Sequence, residues 1–286
     1  MLRSILKFKI LIFLSLSSCS TLKTALMNSP TVQELEKYLD VQGKIDESKK
    51  YQNSDISAVI NGEEVLLEDP LRDSVVLITI VKDQKTSVCT GALINKKTVL
   101  TAAHCVHGSS SKNLKAILLD RSVEKKESKD IDKVYVHPDY DGTTQSFSDL
   151  AILTLKEPLK RERLYLSLVK DISAVTSDEV ILAGYGVTDE SLRDSMTLRK
   201  VKKSFKHEIY IREKLIGVGQ KAQSGGFCRG DSGAPIIVKS NNVSKVIGIN
   251  SFTVELEEGK ECHSASVAVS IPQNIKWIHQ KTNSNL

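Results

Sequence analysis

Several things are missing from this 286-residue chain, and each absence closes a class of function. Its histidines are few and scattered: six, with no His, Cys or carboxylate cluster at ligand spacing, which excludes a zinc-type centre. Neither a metal nor an organic cofactor is expected. No helix carries a basic face interleaved with aromatics, so a nucleic-acid partner is not expected either. The formal charge is only +5 and is spread along the chain. Even a dense run, Glu124-Lys125-Lys126-Glu127-Ser128-Lys129-Asp130, mixes both signs and reads as a solvated loop. The apolar run Ile10-Leu11-Ile12-Phe13-Leu14 is too short for a stable membrane span. What remains is a chain of ordinary composition, long enough for one large or two modest domains and expected to act as a monomer.

The short apolar run has a different reading. Arg3, Lys7 and Lys9 precede it, and Leu16-Ser17-Ser18-Cys19 follows, a pattern similar to the lipobox of bacterial lipoproteins. Residues 1–18 then form an export signal and Cys19 is the lipidated N-terminus; the alternative is an ordinary secretion signal with an incidental cysteine. Ser20 after the lipidated cysteine favours the outer membrane in a Gram-negative cell. Residues 19–58 are polar, with helical periodicity at 32–39, and read as a tether or propeptide. Of five cysteines, Cys19 aside, Cys89, Cys105, Cys228 and Cys262 form an even set that permits three pairings.

From residue 59 the chain changes character. Short, β-branched runs at 75–81, 88–94, 98–100, 116–119 and 151–155 are followed by a second set at 180–183, 196–201, 235–238, 243–249 and 266–269. Two sets of about six short strands imply two antiparallel barrels, here about 59–168 and 169–271, with a crossover at 169–177. A helix, about 272–284, starts at Pro272.

Three short motifs carry chemistry. Phe227-Cys228-Arg229-Gly230-Asp231-Ser232-Gly233-Ala234-Pro235 offers a serine beside glycines that can turn backbone N–H groups toward one spot. Thr101-Ala102-Ala103-His104-Cys105 supplies a base, and Ser148-Asp149-Leu150-Ala151-Ile152-Leu153 a carboxylate to orient it. The order His104, Asp149, Ser232, with gaps of 45 and 83 residues, resembles the chymotrypsin-like (trypsin-like) serine proteases. The resemblance extends over about 59–284 through Val59-Ile60-Asn61-Gly62, His137-Pro138-Asp139-Tyr140, Gly184-Tyr185-Gly186, Gly248-Ile249-Asn250-Ser251-Phe252 and Trp277-Ile278. Ala234 and Phe252 depart from the usual glycine and tryptophan, and the linking segments are short; no catalytic group is lost.

The resemblance implies an all-β fold of two packed six-stranded barrels with a C-terminal helix and the site in the cleft between them. It implies a serine endopeptidase acting on protein or peptide substrates through an acyl-enzyme. Ser232 would be the nucleophile, His104 the base, Asp149 its orienter, and the N–H groups of Gly230 and Ser232 the oxyanion hole. Ser251 would support Asp149, and Phe252 would line the cleft. The remaining histidines, His107, His137, His207, His263 and His279, are expected to be structural or surface residues. Disulfides Cys89–Cys105 and Cys228–Cys262 follow from the same resemblance and require an exported location. Gly226 would form the base of the primary pocket, with Thr253 and Ser266 narrowing its walls, which implies small uncharged residues before the cut. Val59 would be the mature N-terminus, freed by cleavage after Ala58 and pairing with Asp231, so that activation releases the enzyme from its lipid anchor. Two other readings share the fold: a processing protease with one partner substrate, and a catalytically silent binding protein.

Overall fold

A run such as Val75-Val76-Leu77-Ile78 has no polar face, so it is stable only where both sides are covered. All four residues are buried in the computed structural model, which describes residues 59–121, 125–188, 196–220, 225–240, 243–254, 262 and 265–282. The signal 1–18, Cys19 and the tether 19–58 lie outside the described residues.

After the two-residue strand β1 (Glu63–Glu64) and a helical turn α1 (Leu71–Ser74), the chain forms β2 (Val75–Lys82), β3 (Lys85–Asn95), β4 (Thr98–Thr101), α2 (Ala103–Val106), β5 (Leu114–Asp120), β6 (Lys125–Val136) and β7 (Ala151–Leu155). Strands β2 to β7 close into a barrel in the order β2-β3-β4-β7-β6-β5. The β2–β3 hairpin has a two-residue turn, Asp83-Gln84, with both residues at positive φ, whose twist matches that of the strands. The second unit holds β8 (Ser167–Leu168), β9 (Glu179–Gly184), β10 (Arg199–Ser204), the turn α3 (Phe205–Glu208), β11 (Ile209–Arg212), β12 (Leu215–Gly219), β13 (Pro235–Ser240), β14 (Val243–Val254) and β15 (Ala265–Ser270), then α4 (Ile271–Thr282). Its sheet runs β1-β10-β9-β13-β14-β15-β12-β11, with β8 parallel to β14. Strands from both ends of this sheet bury side chains in one core: Leu182 and Val201 meet Ile209, Ile216 and Val218. The sheet is therefore rolled like a barrel, although its ladder is not hydrogen-bonded shut among the described residues. The buried Lys203 laces the seam, donating to the Gly219 carbonyl at 3.1 Å and to Glu208.

The double-barrel fold agrees with the sequence reading; three of its details do not. The charged run at 124–130 was expected as a solvated loop, yet residues 125–130 belong to β6, the strand that completes the first barrel. A closing strand needs only a few buried residues, here Ile131, while its polar side chains find partners, Asp130 with Lys115 on β5 and Glu127 with Arg163 from the segment after β7. The β11–β12 hairpin was also missed, and β10 begins at Arg199 rather than at 196.

The barrels meet over an apolar interface that includes Leu77, Leu100 and Ile152 from the first and Ala183, Tyr185 and Ile249 from the second. Helix α4 seals it, with the His137 ring of the first barrel tilted against that of Trp277, their centroids 4.7 Å apart. Burial there pushes the His137 imidazole below its ordinary range, as suits a packing histidine. Among the described residues no helix is long and apolar enough to cross a membrane.

Both disulfides are formed, Cys89–Cys105 and Cys228–Cys262, closing loops of 16 and 34 residues. In the chain-entropy account these stabilise by about 3 and about 4 kcal/mol. Replacing either pair by serines is expected to lower the urea midpoint accordingly, with the larger loss at Cys228–Cys262.

Candidate active site

His104 stands on the single-turn helix α2, just after β4 ends against β7. Its backbone N–H donates to Asp149 Oδ1 at 2.8 Å, and its Nδ1 lies 2.6 Å from Asp149 Oδ2. An ionised carboxylate only accepts, so Nδ1 carries the proton and Nε2 is left with a lone pair. Asp149 is wholly buried, and the Ser251 hydroxyl of β14 also donates to Oδ2. Ser232 and His104 border one cleft of about 250 Å³, along with Arg229, Asn250, Phe252 and Thr253. No hydrogen bond joins Ser232 Oγ to His104 Nε2; catalytic hydrogen bonds of this kind often form fully only in the complex with substrate. Cys89, His104 and Cys105 place three potential ligand atoms within 4.8 Å of one another, but the two sulfurs are bonded to each other and offer no thiolate to a metal.

The loop carrying Ser232 is fixed carbonyl by carbonyl. Arg229 O accepts from Val187 N at 2.8 Å, and Gly230 O accepts from Thr90 Oγ1 at 3.0 Å. Asp231 O accepts from Ala234 N at 2.9 Å and Asn250 Nδ2 at 3.0 Å; Ser232 O accepts from Thr90 N at 2.8 Å. In a planar trans peptide the N–H points opposite to the C=O, so each of these bonds also aims an amide. Those of Asp231 and Gly233 donate to Cys228 O and Asn250 O. Those of Gly230 and Ser232 have no acceptor among the described residues. The geometry needs glycine at two points: Gly230 has φ +94, and a Cβ on Gly233 would lie 2.2 Å from Thr90 O.

Behind the loop, the buried Asp231 carboxylate accepts from Gly186 N at 2.8 Å and Cys228 N at 3.0 Å. It fits there because Gly184 and Gly186 lack side chains; Cβ atoms on them would lie 2.0 and 2.4 Å from its oxygens. Burial is the main cause that pushes the Asp231 carboxyl up to about 7, against the two backbone donors. Val59, also wholly buried, packs in the same apolar cluster as Phe227 and Ala234, and Ile60 bridges to Gly226.

The pocket residues divide. Ser251, Phe252 and Thr253 line the cleft, whereas Gly226 and Ser266 are buried and do not border it. Thr253 and Ser266 face each other across β14 and β15. Against Gly226 lies the buried Gln220 side chain, held by Phe227 N at 2.9 Å, Phe227 O at 2.9 Å and Cys262 O at 3.1 Å. Gln220, Thr90 and Asn250 escaped the sequence reading. The one available signal was a polar residue inside an otherwise apolar strand, as with Thr90 between Val88 and Ile94 and Asn250 beside Ile249.

The chain is similar to known proteins over most of its length. The family described as Trypsin matches residues 72–278. A trypsin of Saccharopolyspora erythraea is 26% identical over 206 residues, covering 68% of this chain and 86% of its own. Vitamin K-dependent protein C of Rattus norvegicus is 24% identical over 226 residues, covering 70% of this chain and 47% of its own. An ovochymase of Halocynthia roretzi is 27% identical over 220 residues, 68% of this chain but 13% of its own.

Proposed function

Since the chain belongs to the trypsin family of serine proteases, we propose that it is an exported serine endopeptidase, tethered by a lipid on Cys19 until cleavage between Ala58 and Val59 activates and frees it. The observation that carries the catalytic reading is the 2.6 Å contact between His104 Nδ1 and the buried Asp149, in the cleft that also holds Ser232. Ser232 attacks the scissile carbonyl and forms the acyl-enzyme. His104 Nε2 accepts its proton and returns it to the leaving amine, while Asp149 stabilises the imidazolium. The N–H groups of Gly230 and Ser232, which have no acceptor among the described residues, receive the oxyanion, a contribution of about 3–4 kcal/mol per donor in a comparable hydrolase. Two disulfides beside the catalytic loops fit an oxidising, extracytoplasmic setting. Labelling by a fluorophosphonate tests this reading: Ser232 should be modified in the wild type and left unmodified in His104→Ala. Wild-type labelling of a Ser232→Ala protein would refute it.

The substrate preference is proposed from what lies behind the cleft, at the position that the family resemblance gives to the base of the primary pocket. Gly226 brings no charge, and the pinned Gln220 occupies the space that a side chain at 226 would enter. Small uncharged residues such as Ala or Val are expected before the cut. Lys or Arg should be disfavoured by on the order of 10²-fold or more, because a buried cation without a partner costs several kcal/mol. Profiling with a peptide library checks this. Gly226→Asp alone is not expected to confer cleavage after Lys or Arg, since the new Cβ would lie 2.3 Å from Gln220.

A further inference from the structure

Thr90 is wholly buried on β3, next to the disulfide-bonded Cys89, and its polar groups reach the second unit at three points. Its N–H donates to Ser232 O at 2.8 Å. Its hydroxyl accepts from Tyr185 N at 3.1 Å and donates to Gly230 O at 3.0 Å. Its own carbonyl is held by Thr101 Oγ1 at 2.8 Å.

The two N–H groups assigned to the oxyanion are those of Gly230 and Ser232, and the Gly230–Asp231 peptide lies between them. The mutual angle of the two donors therefore depends on how that peptide is turned. Gly230, at φ +94, lacks the side chain that would confine its rotation. The N–H of this peptide donates to Cys228 O within the same loop, and its carbonyl has one partner among the described residues, the Thr90 hydroxyl on the other barrel. A backbone amide at position 90 could hold Ser232 O, but only a hydroxyl can accept from Tyr185 and donate to Gly230 together.

We propose that the Thr90 hydroxyl is a positioning residue that keeps the oxyanion hole aligned from the first barrel. It touches neither substrate nor reacting atoms. It joins the Gly184-Tyr185-Gly186 turn, which seats Asp231, to the peptide between the two donors. The inference rests on the endopeptidase reading and deepens it.

Thr90→Val keeps the branched shape and removes the hydroxyl; Thr90→Ser keeps the hydroxyl. Thr90→Val is expected to lower kcat on the order of 10- to 100-fold with KM within twofold, less than the 10²- to 10³-fold that follows loss of a donor itself. Affinity for a peptide boronate, which forms a tetrahedral adduct on serine, should fall in parallel, while affinity for the cleaved product peptide stays unchanged. Thr90→Ser should recover kcat to within about threefold. A merely structural role would lower thermal stability without this split between boronate and product. Should Thr90→Val fail to fold, Thr90→Ser and Thr90→Ala decide by the same comparison. Wild-type kcat and boronate affinity in the hydroxyl-free variant would overturn the proposal, as would equal losses for boronate and product. If Ser232→Ala abolishes hydrolysis while Thr90→Val matches wild type, this inference fails and the endopeptidase reading stands.

Discussion

Ser232→Ala is expected to reduce peptide or ester hydrolysis by on the order of 10⁴- to 10⁶-fold, and His104→Ala by a comparable factor. Without the hydroxyl there is no acyl-enzyme, and without the imidazole the hydroxyl keeps its proton in an almost un-nucleophilic form. The two residues act as one unit, so the double variant should be hardly slower than either single one. Asp149→Asn should cost about 10⁴-fold, because an amide facing Nδ1 favours the tautomer that puts the proton on Nε2. Asp149 is wholly buried, and the Ser251 hydroxyl donates to the same Oδ2 that faces the imidazole. Steady-state kinetics on protein freed of contaminating proteases decides the matter. A Ser232→Ala protein cleaving at the wild-type rate would end the assignment.

The parts of this molecule that could be read from sequence are those where local chemistry and long-range structure demand the same residues. The Gly230-Asp231-Ser232-Gly233 run is such a place: one glycine needs positive φ, the other has a backbone oxygen where a side chain would go, and the carboxylate must fit between Gly184 and Gly186. The apolar strands β2, β4, β7 and β13 were visible for a similar reason, since residues covered on both faces must be apolar along their length. Strand β6 was hidden because half of its residues are exposed and only one is fully buried, and its pairing with β5 depends on barrel closure rather than on composition. Thr90, Asn250 and Gln220 were hidden for another reason. Each is a buried polar residue whose partners lie on other strands or loops, at Gly230, Asp231 and Phe227, and a sequence does not show what a polar side chain faces.

Cleavage between Ala58 and Val59 is expected to raise activity by orders of magnitude, and an Asp231→Asn variant should lose most of that gain. Val59 is already buried, in the same apolar cluster as Phe227 and Ala234 of the nucleophile loop. It is also β-branched and held at φ +45, a conformation that costs on the order of 1–3 kcal/mol. Cutting the preceding peptide bond removes that constraint. In the intact chain the Asp231 carboxyl, pushed up to about 7 chiefly by burial, binds its proton more tightly than in the unfolded chain, where 3.8 is the ordinary value. Between those values the native state holds more protons, so this group's contribution makes the intact protein less stable as pH rises from about 4 to about 7. An ammonium at Val59 favours the carboxylate, lowers its proton affinity and flattens that slope. Urea unfolding of a Ser232→Ala background at pH 5 and pH 7.5, before and after cleavage, should show the slope in the intact chain, its reduction after cleavage, and its absence in Asp231→Asn. N-terminal sequencing supplies the other arm. A fully active enzyme beginning at Cys19 would sink the scheme, as would an Asp231→Asn variant with undiminished activity.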